Sequence, residues 1–167
     1  MTRESTFSDT FSSLASSALL FYMLSYSFMT FGAFGIVILL GRNGKENLEL
    51  EDYSGLGFQA PLLGMAMSIF LLSLGGLPPL AGFVAKFYIF QAALNEGYVV
   101  LVVLAVLNSA ISFYYYLRVI VFMYMKEPKG ELKVSLTPIT LLVIIIGVLG
   151  TVELGLFPGP VISLAHP

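Results

Sequence analysis

The sequence predicts an all-α integral membrane protein with about four transmembrane helices, the second of them discontinuous. Composition is the first observation behind this. Of 167 residues, 57% are hydrophobic and only 11% are charged, against about a quarter in soluble domains. The mean hydropathy of +0.91 points the same way. The second observation is length, since four stretches meet or exceed the roughly 20 apolar residues that a bilayer crossing requires. The third is that one of these stretches is interrupted by Gly75, Gly76, Pro78 and Pro79 and then carries Lys86.

The Ser/Thr-rich residues 1–13 read as a polar tail. Residues 14–40 form the first span, too long for the apolar part of a signal peptide and followed by no convincing cleavage site. A polar loop over residues 41–59 leads to the broken segment, residues 61–96, with its interruption at 75–79. After a tight connection at Asn95, Glu96 and Gly97 comes a third span, residues 98–125. A lysine-bearing loop around 126–133 precedes the last span, residues 136–157, and residues 158–167 form a C-terminal tail. Together, residues 14–157 make one transmembrane region with no soluble domain.

As one straight helix, Pro61 to Glu96 would measure roughly 54 Å, well beyond a ~30 Å hydrocarbon core, yet two full spans would leave almost no loop. Loop charges favour a single crossing. It puts Arg42, Lys45, Lys126, Lys129 and Lys133 on one side, as the positive-inside rule prefers, whereas a double crossing splits them. Two half-helices overlapping around the break then span the bilayer, with both chain ends on the outer side.

Lys86 is the leading candidate for function. Lysines near helix ends ordinarily snorkel to the interface, but Lys86 sits roughly 14 Å from the Glu96 end and close to the mid-depth break. Its helical neighbours Gly82, Phe83, Ile89 and Phe90 carry no counter-charge. A charged residue at mid-depth costs about 2.5–3.5 kcal/mol on insertion scales, which favours a functional reason for its presence. A lysine that is charged or neutral at similar cost can load and release a proton. Irregular backbone beside it offers free carbonyls and room for water.

Other polar residues have competing readings. Asn108, Ser112 and Tyr115 share one face of the third span, at i, i+4 and i+7, and either line a path or hold helices together through hydrogen bonds. Tyr114, Tyr115 and Tyr116 also fit an aromatic belt, and Arg118 a snorkelling cation. Tyr22, Tyr26 and Thr30 share a face of the first span, with Ser25 beside it, where helix packing is the expected role. Glu153, a turn before Phe157 and Pro158, reads as solvated.

Several chemistries find no support. With no cysteine, the chain offers no disulfide, iron–sulfur or thiolate–zinc site. Its one histidine, His166, lies beside the C-terminus, and no glycine-rich nucleotide loop precedes a helix. A net charge of −2 argues against a nucleic-acid surface. The chain reads as non-redox, with no metal or cofactor of its own.

The string LLSLGGLPPLAGFVAKFYIFQAAL, followed by NSAISFYYYLRV, resembles the subunit N family of proton-pumping NADH:quinone oxidoreductases (respiratory complex I), an antiporter-like membrane subunit family. LLFYMLSYSFMTFGAFGIVILL upstream and the closing LGLFPGP fit as well. The likeness covers all but about the first dozen residues. Related subunits L and M, and the cation/proton antiporter subunits similar to them, usually read GFWSKD where Phe83–Tyr88 read FVAKFY, which points to subunit N.

The resemblance implies a fold of about fourteen spans in two inverted repeats, each with a broken helix, of which this chain matches the last four. Lys86 then corresponds to the lysine of the second broken helix, in the half associated with proton exit. The lysine–glutamate pair and central lysine of the first repeat have no counterpart. On this view the chain is a fragment, half of a split gene or a truncated product. It would be a non-redox subunit of a proton-translocating enzyme, in a bacterial inner membrane or an organellar one. Its partners would be the lipid bilayer and other membrane subunits, including the missing first ten spans. NADH, FMN, iron–sulfur clusters and quinone would belong to other subunits. The alternatives are a subunit of a cation/proton antiporter or membrane-bound hydrogenase of the same fold, or a structural remnant without transport.

Overall fold

A computed structural model describes residues 3–41, 49–128 and 137–160, with residues 3–14 described by backbone alone. Arg42, Lys45, Lys129, Lys133 and His166 lie outside the described residues. Among the described residues the chain is wholly helical: α1 (Arg3–Gly41), a 3₁₀ turn (Leu50–Tyr53), α2 (Leu56–Gln59), α3 (Pro61–Gly75), α4 (Ala81–Asn95), α5 (Val99–Met125) and α6 (Pro138–Leu156). Among the described residues three helices are long and apolar enough to cross a membrane: Ala15–Gly41 within α1, then Val99–Met125 and Pro138–Leu156, with Pro61–Gly75 as a shorter apolar helix. Helical backbone begins at Arg3, so the polar stretch before the first span continues the helix rather than standing apart from it.

The order of contacts along α1 gives the topology. Phe21 meets Tyr88 of α4 edge-on, with ring centroids 6.0 Å apart. A Cβ on Gly82 would lie 3.3 Å from Met29 Sδ, and one on Gly32 would run into the Phe70 ring of α3. Ile36, Leu39 and Leu40 pack in one buried cluster with Leu63, Met67 and Phe70. Descending α1 therefore means ascending α4 and α3 in reverse chain order. The two half-helices lie end to end, antiparallel to α1, as the two parts of one discontinuous helix. α6 runs alongside them, since Gly35 faces Ile144 and Gly147 faces Gly32 and Phe28.

Small residues bring these helices together. Lipid is as apolar as leucine, so helices associate in it through close packing rather than exclusion of water. Gly32 admits the Phe70 ring, Gly150 the Phe28 ring, and Gly75 the Phe113 ring of α5. Beside the break a second buried cluster, Phe21, Ala81, Ala85 and Leu154, joins α1, α4 and α6.

The segment before α3 is more ordered than a polar loop. Tyr53, Ser54, Leu56 and Gly57 are buried, and the Gly55 N–H donates to Phe122 O of α5 at 3.4 Å. Tyr124 fills the space that a side chain at Gly57 would take. The sequence's polar residues hid this anchor because its apolar residues are few and glycine-spaced.

Candidate functional site

Where α3 ends, the chain forms a Schellman motif. Gly76 adopts a left-handed φ of 89°, its N–H donates to Ser73 O at 2.9 Å, and Leu77 N–H donates to Leu72 O at 2.9 Å. Glycine reaches this backbone region without the steric penalty of a Cβ. Pro78 and Pro79 cannot extend a helix, lacking N–H groups, and a turn closed by Leu80 N–H on Leu77 O at 3.0 Å leads into α4.

Breaking a helix inside a membrane strands the last carbonyls of one half and the first amides of the other. Here each half supplies the other's partner. Lys86 of α4 reaches back with its Nζ, donating to Leu74 O at 2.9 Å and toward Gly75 O at 3.5 Å. Ser73 of α3 accepts the Gly82 N–H of α4 on its Oγ at 3.0 Å. The ammonium meets the negative end of α3's dipole, and the hydroxyl oxygen meets the positive end of α4's. The half-buried Lys86 thus has no carboxylate partner among the described residues; its counterpart is a pair of backbone dipoles.

Two glycines permit this geometry. At Gly82 a Cβ would collide with Ser73 O, and at Gly155 of α6 one would collide with Pro79 O. Ser73 escaped the sequence reading because a lone serine in an apolar helix usually bonds to its own backbone. Its position three residues before the glycine cap was the available signal.

The structure thus gathers Gly75, Gly76, Pro78, Pro79 and Lys86 into one site. The stripe of Asn108, Ser112 and Tyr115 lies elsewhere. Asn108 and Tyr115 are exposed on the outer face of α5, and Ser112 donates back to Asn108 O at 2.9 Å. Within this chain the stripe faces away from Lys86. Phe113 lies against Gly75 at the break, and Tyr116 packs against the core together with Val119, Ile120, Met123 and Tyr124. Helical spacing identified a shared face; which way that face turned depended on packing. Arg118 is exposed, with its guanidinium carbon 6.0 Å from the Phe122 ring centroid, and Glu153 is exposed as well.

Residues 7–112 match the family model described as NADH:quinone oxidoreductase/Mrp antiporter, transmembrane. NADH-quinone oxidoreductase subunit N of Trichlorobacter lovleyi is 45% identical over 151 residues, covering 90% of this chain and 31% of the relative. Subunit N of Chloroflexus aggregans is 44% identical, covering 89% of this chain and 30% of its own length. The chain therefore spans about a third of the curated relatives it matches. Among solved structures, respiratory complex I from Thermus thermophilus with bound aureothin contains a chain of similar fold, with a TM-score of 0.80 and 34% identity. That match covers 90% of this chain and 35% of the other. The Mrp complex from Dietzia sp. DQ12-45-1b gives a TM-score of 0.78 at 20% identity, a likeness of fold alone, covering 92% of this chain and 37% of that one. By its family match and its relatives, this membrane chain belongs to the NADH:quinone oxidoreductase/Mrp antiporter transmembrane family.

Proposed function

We propose that the chain is a membrane-embedded part of a subunit N of proton-translocating NADH:quinone oxidoreductase, and that Lys86 relays protons at the helix break. One observation carries the reading: an ammonium is held inside a membrane-spanning bundle by the carbonyls of Leu74 and Gly75, with no carboxylate beside it among the described residues. Dipoles hold a cation less firmly than a carboxylate does, so the protonated and neutral forms differ less in energy than in an ion pair. A neutral amine still donates to Leu74 O, which leaves the break closed after the proton departs. The 45% identity to a subunit N supports the same assignment. The Mrp-like alternative shares the fold, while the identities of 44–45% to subunits N favour the oxidoreductase.

Redox chemistry, with NADH, FMN, iron–sulfur clusters and quinone, would reside in other subunits of such a complex, and this chain would hold no cofactor. The outward face of α5, with Asn108, Ser112 and Tyr115, would pack against other membrane subunits or the remaining spans. Bacterial relatives support an inner-membrane location.

A second reading follows from the same hydrogen bonds: Lys86 is a clamp that caps α3 and moves no proton. Lys86→Met in the assembled, vesicle-reconstituted complex separates the two. A relay predicts loss of protons moved per electron pair with assembly retained. A clamp predicts lower thermal stability with an unchanged ratio.

A further inference from the structure

A groove of about 530 Å³ lies between α1 and α6, walled by Phe31, Phe34 and Ile38 on one side and by Ile139, Val143 and Ile146 on the other. Thr140 is the one polar residue among those lining it. A cavity so apolar stays dry, so water is not its natural filling. Its rim stands clear of the bundle, with Phe31 68% and Ile139 74% exposed.

Where α1 and α6 touch decides the shape of the groove. At Gly147 the backbones close up, and a Cβ there would fall 3.2 Å from Gly32 Cα and from Phe28 O. One turn along, a Cβ on Gly35 would meet only side-chain atoms of Val143 and Ile144, at 3.7 Å. Further on, Ile38 and Ile139 stand open to the outside. Phe28 and Gly147, which end the groove, are also the midpoints of the segments Ala15–Gly41 and Pro138–Leu156. From Phe28 to Ile38 the groove runs roughly 15 Å at 1.5 Å per residue, half of a ~30 Å hydrocarbon core. It is one leaflet deep.

We propose that this groove binds one acyl chain of a membrane phospholipid, drawn from the leaflet at the Gly41–Pro138 end and wedged between α1 and α6. A further transmembrane helix fits the groove poorly. It would need a seam through both leaflets and small residues that let backbones approach, yet this groove stops at mid-depth and its rim is aromatic and branched. Gly32 and Gly147, the small residues nearby, are already spent on the contact between α1 and α6. A flexible hydrocarbon chain one leaflet long needs neither. It gains dispersion contacts with two walls and a floor, where a chain on a flat helix face touches protein on one side. This inference stands whether or not Lys86 moves a proton.

The test uses the assembled complex carrying this chain, in vesicles of phosphatidylethanolamine doped with the same lipid bearing a diazirine on one acyl chain. After irradiation, labelled residues are located by mass spectrometry. Leu142 is the internal control, being 57% exposed on α6 at the same depth but outside the groove. Expected is label on Phe34 and Ile38 about fivefold above that on Leu142, because a chain held on several sides stays longer. Gly35→Leu and Val143→Phe fill the groove and should bring Phe34 and Ile38 down to the Leu142 level, with Leu142 itself unchanged. Should Gly35→Leu fail to assemble, Val143→Phe, which only enlarges a wall side chain, carries the comparison. Equal label on wall and control in the unmodified chain means ordinary surrounding lipid and overturns the proposal. Walls without label mean that a neighbouring helix covers the groove, and overturn it too. So does label that a polyprenyl quinone displaces and excess unlabelled phospholipid does not, since the groove then takes an isoprenoid chain. Filled variants that label like the unmodified chain also overturn it.

Discussion

The helix break and the outer stripe of α5 pose the same physical problem and solve it differently. Both place polar groups in strongly apolar helices. At the break stranded groups find partners across it: Lys86 Nζ on the carbonyls of Leu74 and Gly75, and Gly82 N–H on Ser73 Oγ. On α5, Asn108 and Tyr115 point outward, and only Ser112 is satisfied, by its own helix. Burial differs as well: 44% of the apolar window of α1, which packs against both half-helices, is buried, against 6% of that of α5. The break is bridged by groups of its own two half-helices, whereas α5 turns most of its side chains outward. A polar residue in a membrane helix therefore reports local function only when its partner is known to lie in the same chain.

The largest expected effect breaks the comparison at Lys86. Lys86→Met should nearly abolish proton pumping, and Lys86→Arg should do little better, because guanidinium holds its proton far above working pH. Met fills a similar volume without a charge to bury, so assembly should persist. Protons per electron pair in vesicles is the measurement, and an unchanged ratio would leave Lys86 as a clamp only.

Gly82→Ala comes next. Its methyl would run into Ser73 O, which is backbone and cannot swing aside. Overpacking of this kind costs about 1–3 kcal/mol, visible as a clear drop in melting temperature of the purified complex. A neutral outcome would mean that α3 and α4 slide apart without penalty and that the reciprocal capping is loose.

Ser73→Ala sharpens the same side of the comparison. Losing the cap on α4 should cost about 1 kcal/mol, in the usual range for N-cap hydroxyls. Matching losses of stability in Ser73→Ala and Lys86→Met, with pumping affected in neither, would make the two residues equal structural caps. The relay reading expects them to diverge, with Lys86 dominating transport and Ser73 dominating stability.

The smallest effect belongs to α5. Ser112→Ala should shift the stability of the isolated chain in detergent by less than about 0.5 kcal/mol, as surface changes usually do. Asn108→Leu should leave the isolated chain intact yet weaken its retention in the assembled complex, measured by co-purification. Strong destabilisation of the isolated chain would show that the stripe has partners inside this chain after all.

Much of this architecture was legible in the sequence. Apolar runs of sufficient length define membrane helices almost by composition, because lipid accepts no unsatisfied backbone and so allows few alternatives. Glycine and proline at 75–79 marked the break for a local reason: the left-handed cap and missing N–H groups are properties of those residues themselves. Lys86 stood out because a charge at mid-depth is costly wherever the surrounding helices lie. What the tertiary structure alone decided is which groups meet. Spacing placed Asn108, Ser112 and Tyr115 on a common face, and Tyr22, Tyr26 and Thr30 on another, but the rotation of each helix about its axis is set by packing against neighbours. That packing turned Tyr116 inward and Tyr115 outward, although they are adjacent in the chain. It likewise matched Ser73 to Gly82 across the break, a pairing between helix ends that no periodicity within one helix encodes.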